Sequence, residues 1–308
     1  MIFRVMTMQI RNTAIRQWAP SAALVGATAI WGSTFVVTKD ATEKMSVLGF
    51  LTWRFGIAAA LLLLFGWREV RAMSTVVRRR SIVIGVFLGS GFIAQTYGLQ
   101  ATTAAISSFV TGLMVVLTPV VASLLFGERV TRPAWSGVAL ATLGMAVLSL
   151  DTFSVSAGAF LTLLGAVLFA FHIASLGAWA TPQDALALTA VQVAIATAIC
   201  GLTGALLGEL EAPRDSAAWS AVIYLAVTAT CVGFGVQTWS QSRLKATRAA
   251  LIMTLEPVFG GLFAIGLGGE ALTWRIAVGG ALIVTAMLIV ELAARHGAEA
   301  MLPRIECC

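Results

Sequence analysis

Read as a pattern of apolar and polar positions, the chain is a series of long apolar runs broken by short polar connections. A helix that crosses a bilayer needs about 20 mostly apolar residues. Ten segments meet that requirement, at approximately 20–39, 46–67, 81–99, 104–126, 133–150, 157–179, 184–207, 217–241, 247–268 and 273–293. No connection between them is long or polar enough to form a separate soluble domain. The pattern therefore predicts an all-α polytopic membrane protein, a single bundle of ten transmembrane helices.

Composition supports lipid as the solvent. Of the 308 residues 59% are hydrophobic and 11% charged, against about 25% charged in soluble domains. So little polar surface cannot cover a water-soluble globule. The net charge of +6 would suggest a nucleic-acid partner in a soluble chain, but in a membrane basic residues set orientation loop by loop. With the N-terminus in the cytoplasm, fifteen of the twenty basic residues fall inside, among them Arg4, Arg11, Arg16, Arg68, Arg71, Arg78, Arg79, Arg80, Arg129, Arg132, Arg243, Lys245, Arg248, Arg295 and Arg304. That bias puts both termini in the cytoplasm. The cluster WREVRAMSTVVRRR (67–80) joins two membrane segments and has no aromatic platform, so it reads as a topological anchor and not as a nucleic-acid site. The basic N-terminus lacks a small-residue cleavage site and leads into a first span near Pro20 rather than forming a removed signal peptide. Cys200 and Cys231 lie in apolar segments, while Cys307 and Cys308 end a polar tail; free thiols are expected.

The chain also repeats itself. GLQATTAAI (98–106) aligns with RLKATRAAL (243–251) at an offset of 145, and FGERVTRPAWSGVAL (126–140) with GGEALTWRIAVGGAL (268–282) at an offset of 142. Each half holds five spans. An odd number reverses the second half relative to the first, giving inverted-topology repeats, an architecture of secondary transporters with the site near the midplane. The repeats would occupy 1–152, including the basic N-terminal tail, and 153–294, with 295–308 as a cytoplasmic tail.

In AIWGSTFVVTK (29–39), WRFGIAAALLL (53–63), TAAISSFVTGLMVVLTPVVASLLFGERV (103–130) and TRAALIMTLEPVFGGLFAIGLGGEALT (247–273) the chain resembles the EamA-type members of the drug/metabolite transporter superfamily. The resemblance runs over nearly the whole length. It implies ten helices in two inverted five-helix repeats, an inner-membrane location in a bacterial cell, and transport of a small metabolite. The bacterial aromatic and neutral amino-acid exporters are the most similar members, beside sugar-phosphate and nucleotide-sugar carriers. One departure is that Glu256-Pro257 corresponds to Thr118-Pro119 in the first half, so the halves cannot contribute equivalent chemistry.

Ionisable groups inside a span are costly and are functional candidates by default. Arg54, His172 and Glu256 stand out. At 1.5 Å per residue, Arg54 and Glu256 each lie about 12–13 Å from their end of the membrane, near its middle. Arg54 reads as a buried ion-pair partner of Glu256 or as a cap on a broken helix. Pro257, like Pro119, lacks an amide hydrogen and should kink or break its helix. Glu256 then reads equally as an N-cap at that break, or as the group that meets a substrate ammonium or carries a coupling proton. His172 suits a proton relay or a hydrogen-bonded core position. It has no second His or acid at i+3 or i+4, so no metal is expected.

A zwitterionic, partly apolar substrate needs donors, acceptors and flat apolar walls. Candidates are Trp31, Ser33 and Thr34 on the first span, Gln95 and Tyr97 on the third, Ser107, Ser108 and Thr111 on the fourth, and Gln237, Trp239 and Ser240 on the eighth. Trp18, Trp67, Trp135, Trp219 and Trp274 fit an interfacial belt. Gly85/Gly89 and Gly204/Gly208 form GxxxG patterns that mark close helix packing. There is no Walker motif and no HExxH, and Ser175 near His172 lacks a positioned third group. A cofactor-free transporter is expected, with a small-molecule substrate and the lipid bilayer as partners. An intramembrane enzyme or a carrier of another metabolite class is the alternative.

Overall fold

The computed structural model describes residues 18–102, 104–149, 157–268 and 273–299. All regular structure among them is helical. In chain order the helices are α1 (Trp18–Lys44), α2 (Val47–Ala72), α3 (Thr75–Gln100), α4 (Ala104–Gly112), α5 (Met114–Phe126), α6 (Arg132–Ser149), α7 (Ala157–Trp179), α8 (Ala185–Leu207), α9 (Ser216–Gln241), α10 (Ala246–Met253), α11 (Glu256–Gly268) and α12 (Trp274–Glu299). Among the described residues seven of these are long and apolar enough to cross a bilayer: α1, α2, α3, α7, α8, α9 and the Trp274–Ala293 part of α12. Large apolar side chains cover the outside of the bundle, with Leu206 86% and Leu124 78% exposed. Such a surface is compatible with lipid and not with water. Residues 1–17, Thr103, Asp151, Glu270, Arg304, Cys307 and Cys308 lie outside the described residues.

Helix ends follow local chemistry. Ser46, Ser74 and Asp215 accept hydrogen bonds from the amides of Gly49, Val77 and Ala218, capping α2, α3 and α9. α5 and α8 stop at Gly127 (φ 66°) and Gly208 (φ 72°), whose left-handed backbone a side chain would disfavour. Gly208 is therefore a helix terminator, and the Gly204/Gly208 pattern is not a packing pair. Gly85 and Gly89 are: a Cβ on either would sit 2.7 Å from Ile195 Cβ or 2.9 Å from Ala196 Cα on α8.

Two expected spans are each split into two helices. The segment 104–126 turns at Leu113, where the amide of Leu113 bonds Val110 O (3.2 Å) and α5 starts afresh. Pro119 does not make this break; it lies inside α5, a turn and a half later. The segment 247–268 breaks at Thr254-Leu255. Here the cause is local, because Pro257 has no N–H for the carbonyl of Met253, the last residue of α10. At the other end of the chain α12 continues to Glu299, so the tail expected from residue 295 begins as more of the same helix.

The bundle core comes from pairs drawn from opposite halves of the chain. α3 packs on α7 and α8, α2 on α8 and on the middle of α9, α6 on α12, and α5 on α7 and α10. α1 touches α11 backbone to backbone, since a Cβ on Gly32 would lie 2.9 Å from the carbonyl oxygen of Glu256. These contacts set up one test of the packing. Gly85→Val should lower stability by roughly 1–3 kcal/mol through overpacking, read as a reduced melting temperature in detergent. Gly26→Ala, with nothing within 4 Å of the new Cβ, should leave it unchanged or slightly raised.

Candidate functional site

A cavity opens inside the bundle at the level of the mid-helix polar residues. It runs from Arg54, His172 and Glu256 to Thr38 on the last two turns of α1 and Leu99 on the last turn of α3. Trp31, Phe35, Phe92, Phe169 and Phe234 give it aromatic walls. Phe92 is central to them, with ring centroids 5.1 Å from Phe55, 5.1 Å from Phe169 and 5.9 Å from Phe234. Thr34, Gln95, Thr96, Thr111 and Gln237 add polar groups.

The charges in this cavity are not paired with each other. Arg54 and Glu256 both line it, yet the ion pairs among the described residues are Arg214–Glu211 and Arg248–Glu291. Arg54, 2% exposed, donates its Nε–H to Thr230 Oγ1 at 3.0 Å. Its guanidinium stands over the rings of Phe92 (4.9 Å) and Phe55 (5.4 Å). Glu256 is the first residue of α11, and its half-buried carboxylate makes no hydrogen bond among the described residues. The cap expected of it is not made; the backbone carbonyl of Leu255 receives the first α11 amide, Phe259 N, at 2.9 Å.

An eight-residue π-helical segment, Leu225–Val232, interrupts α9 beside Arg54. π-helical turns place side chains and carbonyls off the regular helical register and recur at functional sites. Thr230 donates its hydroxyl proton to Leu225 O at 2.9 Å, which leaves its oxygen free to accept from Arg54. The Trp31 indole donates to Ala229 O at 2.9 Å. It fits there because Gly233 carries no side chain, as a Cβ would lie 2.7 Å from Trp31 Nε1.

His172 is held by a hydrogen bond of 2.8 Å between Nε2 and Gln192 Oε1, and Gln192 Nε2 reaches Thr238 Oγ1 at 3.0 Å. Gln237 donates to Gln241 Oε1 (3.0 Å), and Gln241 donates in turn to Ile173 O (2.9 Å). Gln95 donates to Thr111 Oγ1 at 2.9 Å.

Of the residues singled out by sequence, Trp31, Thr34, Arg54, Gln95, Thr111, His172, Gln237 and Glu256 line the cavity. Ser33, Tyr97, Ser108, Trp239 and Ser240 do not. Ser33 bonds Ile30 O and the Tyr224 hydroxyl. Tyr97, near the end of α3, donates to Glu209 Oε2 at 2.5 Å. Trp239 lies under the Arg243 guanidinium at 4.4 Å. Ser240 is buried with no partner for its hydroxyl among the described residues. Pro119 is buried within α5, and Pro257 is the second residue of α11.

Sequence reading missed two groups at the opposite, basic end of the bundle. Glu128, just past α5, accepts from Ala246 N (3.2 Å) and Thr247 N (3.3 Å) and so caps α10 across the two halves. Glu291 on α12 is 4% exposed and binds Arg248 of α10 through both carboxylate oxygens. Ser21 of α1 completes this knot, donating to Glu291 Oε1 at 3.1 Å and accepting from Arg248 at 3.2 Å. Glu291 was legible as an acid within the tenth apolar run. Glu128 was not, because its partners are backbone amides.

A multi-helix membrane bundle with a polar, charge-bearing cavity among its helices fits the class of membrane transporters. The sequence comparisons agree with this. The profile of the EamA-like transporter family matches residues 19–150 and again 156–292, and the chain belongs to that family. It is 33% identical over 266 residues to an "Uncharacterized transporter" of Archaeoglobus fulgidus, covering 85% of this chain and 82% of that one. It is 26% identical over 290 residues to a "Probable amino-acid metabolite efflux pump" of Escherichia coli K12, covering 84% and 90%. A solved structure titled "Crystal structure of protein" superposes with a TM-score of 0.71 at 22% identity, over 90% of this chain and 98% of that one; it has the same fold.

The basic-end contacts carry their own test. Glu128→Ala leaves two buried amides at the start of α10 without an acceptor, and the expected cost is roughly 1–3 kcal/mol. A lower melting temperature, with faster thiol labelling of a cysteine placed at Thr247, is the outcome to look for. Unchanged labelling would contradict a closing role for this contact.

Proposed function

We propose that the chain is a secondary transporter that exports or exchanges amino acids and related small metabolites across the inner membrane by alternating access. In this reading the two family matches, 19–150 and 156–292, are the inverted five-helix repeats of a ten-helix bundle, and the basic end with both termini faces the cytoplasm. The name of the Escherichia coli efflux-pump relative supports the substrate class.

The observation that carries the reading is a cavity that stops halfway. It extends from Ile173, Gln237 and Met253 to the ends of α1 and α3, while the basic end beyond it is filled by Gln241, the Glu128 cap and the Arg248–Glu291–Ser21 knot. Besides Thr52, Ser107 and Thr118 elsewhere, Ser240 and Thr247 near that end carry buried hydroxyls without a partner among the described residues. Each such atom costs about 1–3 kcal/mol, a cost that is removed when water reaches them in a second conformation open at the basic end. Breaks beside Leu113 and Leu255 supply hinge points for that change. Glu256 is the group that meets a substrate ammonium or exchanges a proton for it.

Reconstituted protein is expected to exchange labelled neutral amino acids across liposomes. Glu256→Gln should reduce the rate by about 10- to 100-fold, the worth of a charged hydrogen bond. Folded protein that moves no member of an amino-acid panel would contradict the proposal.

A further inference from the structure

The guanidinium of Arg54 is buried and charged, and among the described residues it lacks a counter-ion. Among the described residues its protein hydrogen bonds number one, through Nε to Thr230. The two terminal nitrogens make none, and they belong to a residue that lines the cavity. Removal of an ion from water costs several kcal/mol unless a partner compensates it, and the faces of Phe55 and Phe92 compensate only in part. The free edge of the fork matches the two oxygens of a planar oxyanion. The π-helical segment holds the Nε edge away from that face. Thr230 has already donated its proton to Leu225 O, so it can only accept from Arg54.

We propose that Arg54 is the specificity-determining residue that receives the substrate's carboxylate, and that Thr230 is its positioning residue. This rests on the transport reading above. Charge balance chooses a carboxylate over a phosphate. Arg54 carries one positive charge, which a monoanionic carboxylate matches and a phosphate dianion exceeds. A substrate held this way lies with its carboxylate against α2 and its ammonium against α11. It thereby bridges two elements from opposite halves of the chain. Amines without a carboxylate leave the buried Arg54 charge unmet.

The test uses full-length protein in liposomes with neutral L-amino acids, each paired with its decarboxylated amine and with a phosphate monoester as a third arm. Wild-type protein is expected to prefer the amino acid over its amine by about 10- to 100-fold and to ignore the phosphate. Arg54→Gln should abolish that preference, binding acid and amine about equally. Arg54→Lys and Thr230→Val keep the test open if Arg54→Gln does not fold. Each should weaken the acid while leaving the amine within about twofold, since the fork geometry is lost but not the cavity. Equal losses for both ligands, or a preference that survives in Arg54→Gln, overturn the assignment while transport itself stands. Preference for the phosphate overturns the carboxylate. Absence of binding by every amino acid in the wild type sinks the transport reading, and this inference with it.

Discussion

An ion inside a lipid-facing bundle needs compensation, and among the described residues Arg54 has no acidic partner to supply it. Much of the local architecture follows from holding that guanidinium in place. α2 carries it to mid-depth, the π-helical segment of α9 turns Thr230 towards its Nε, and Phe55 and Phe92 offer their ring faces. The same segment accepts the Trp31 indole, which fixes the first helix against the ninth. Glu256 lines the same cavity without pairing with Arg54. A basic and an acidic side chain in one cavity that do not pair with each other leave room for a ligand that satisfies both.

In the proposed transport cycle a second constraint applies, that the path is never open at both ends. In this conformation the closed end is built from contacts that cross between the halves of the chain: Glu128 on the start of α10, and Arg248 on Glu291 and Ser21. Such contacts can exchange partners with water without unfolding a helix, because they engage helix ends and side chains and not the helical hydrogen bonds themselves. The lipid-facing shell of leucines and phenylalanines has no comparable alternative.

Apolar run length made the helices legible in the sequence, since lipid permits few other ways to satisfy a backbone. Pro257 announced the break before Glu256 for the same steric reason that it breaks helices elsewhere. The analogous break in the first half sits at Leu113, directly after Gly112 and six residues before Pro119, so glycine and not proline marks it. Arg54, His172 and Glu256 stood out as ionisable groups in apolar runs, and all three line the cavity. Their pairing was not legible, as lateral distance between helices leaves no mark on a single sequence. Ser33, Tyr97, Trp239 and Ser240 show the limit of polarity as a guide. Their polar atoms serve neighbouring helices, loops or no partner at all, and membrane-helix polar residues commonly do so. The π-helical segment, LAVTATCV, has an ordinary apolar composition, so the device that orients Arg54 had no visible signature.

The central claim is that one small zwitterion bridges Arg54 and Glu256 within the bundle. The most direct measurement is a structure of the full-length protein determined with a transported amino acid bound. Ligand density spanning the two side chains, carboxylate at the guanidinium and ammonium at Glu256, is the expected result. Density at another place in the bundle, or a direct Arg54–Glu256 ion pair with the ligand elsewhere, would contradict it.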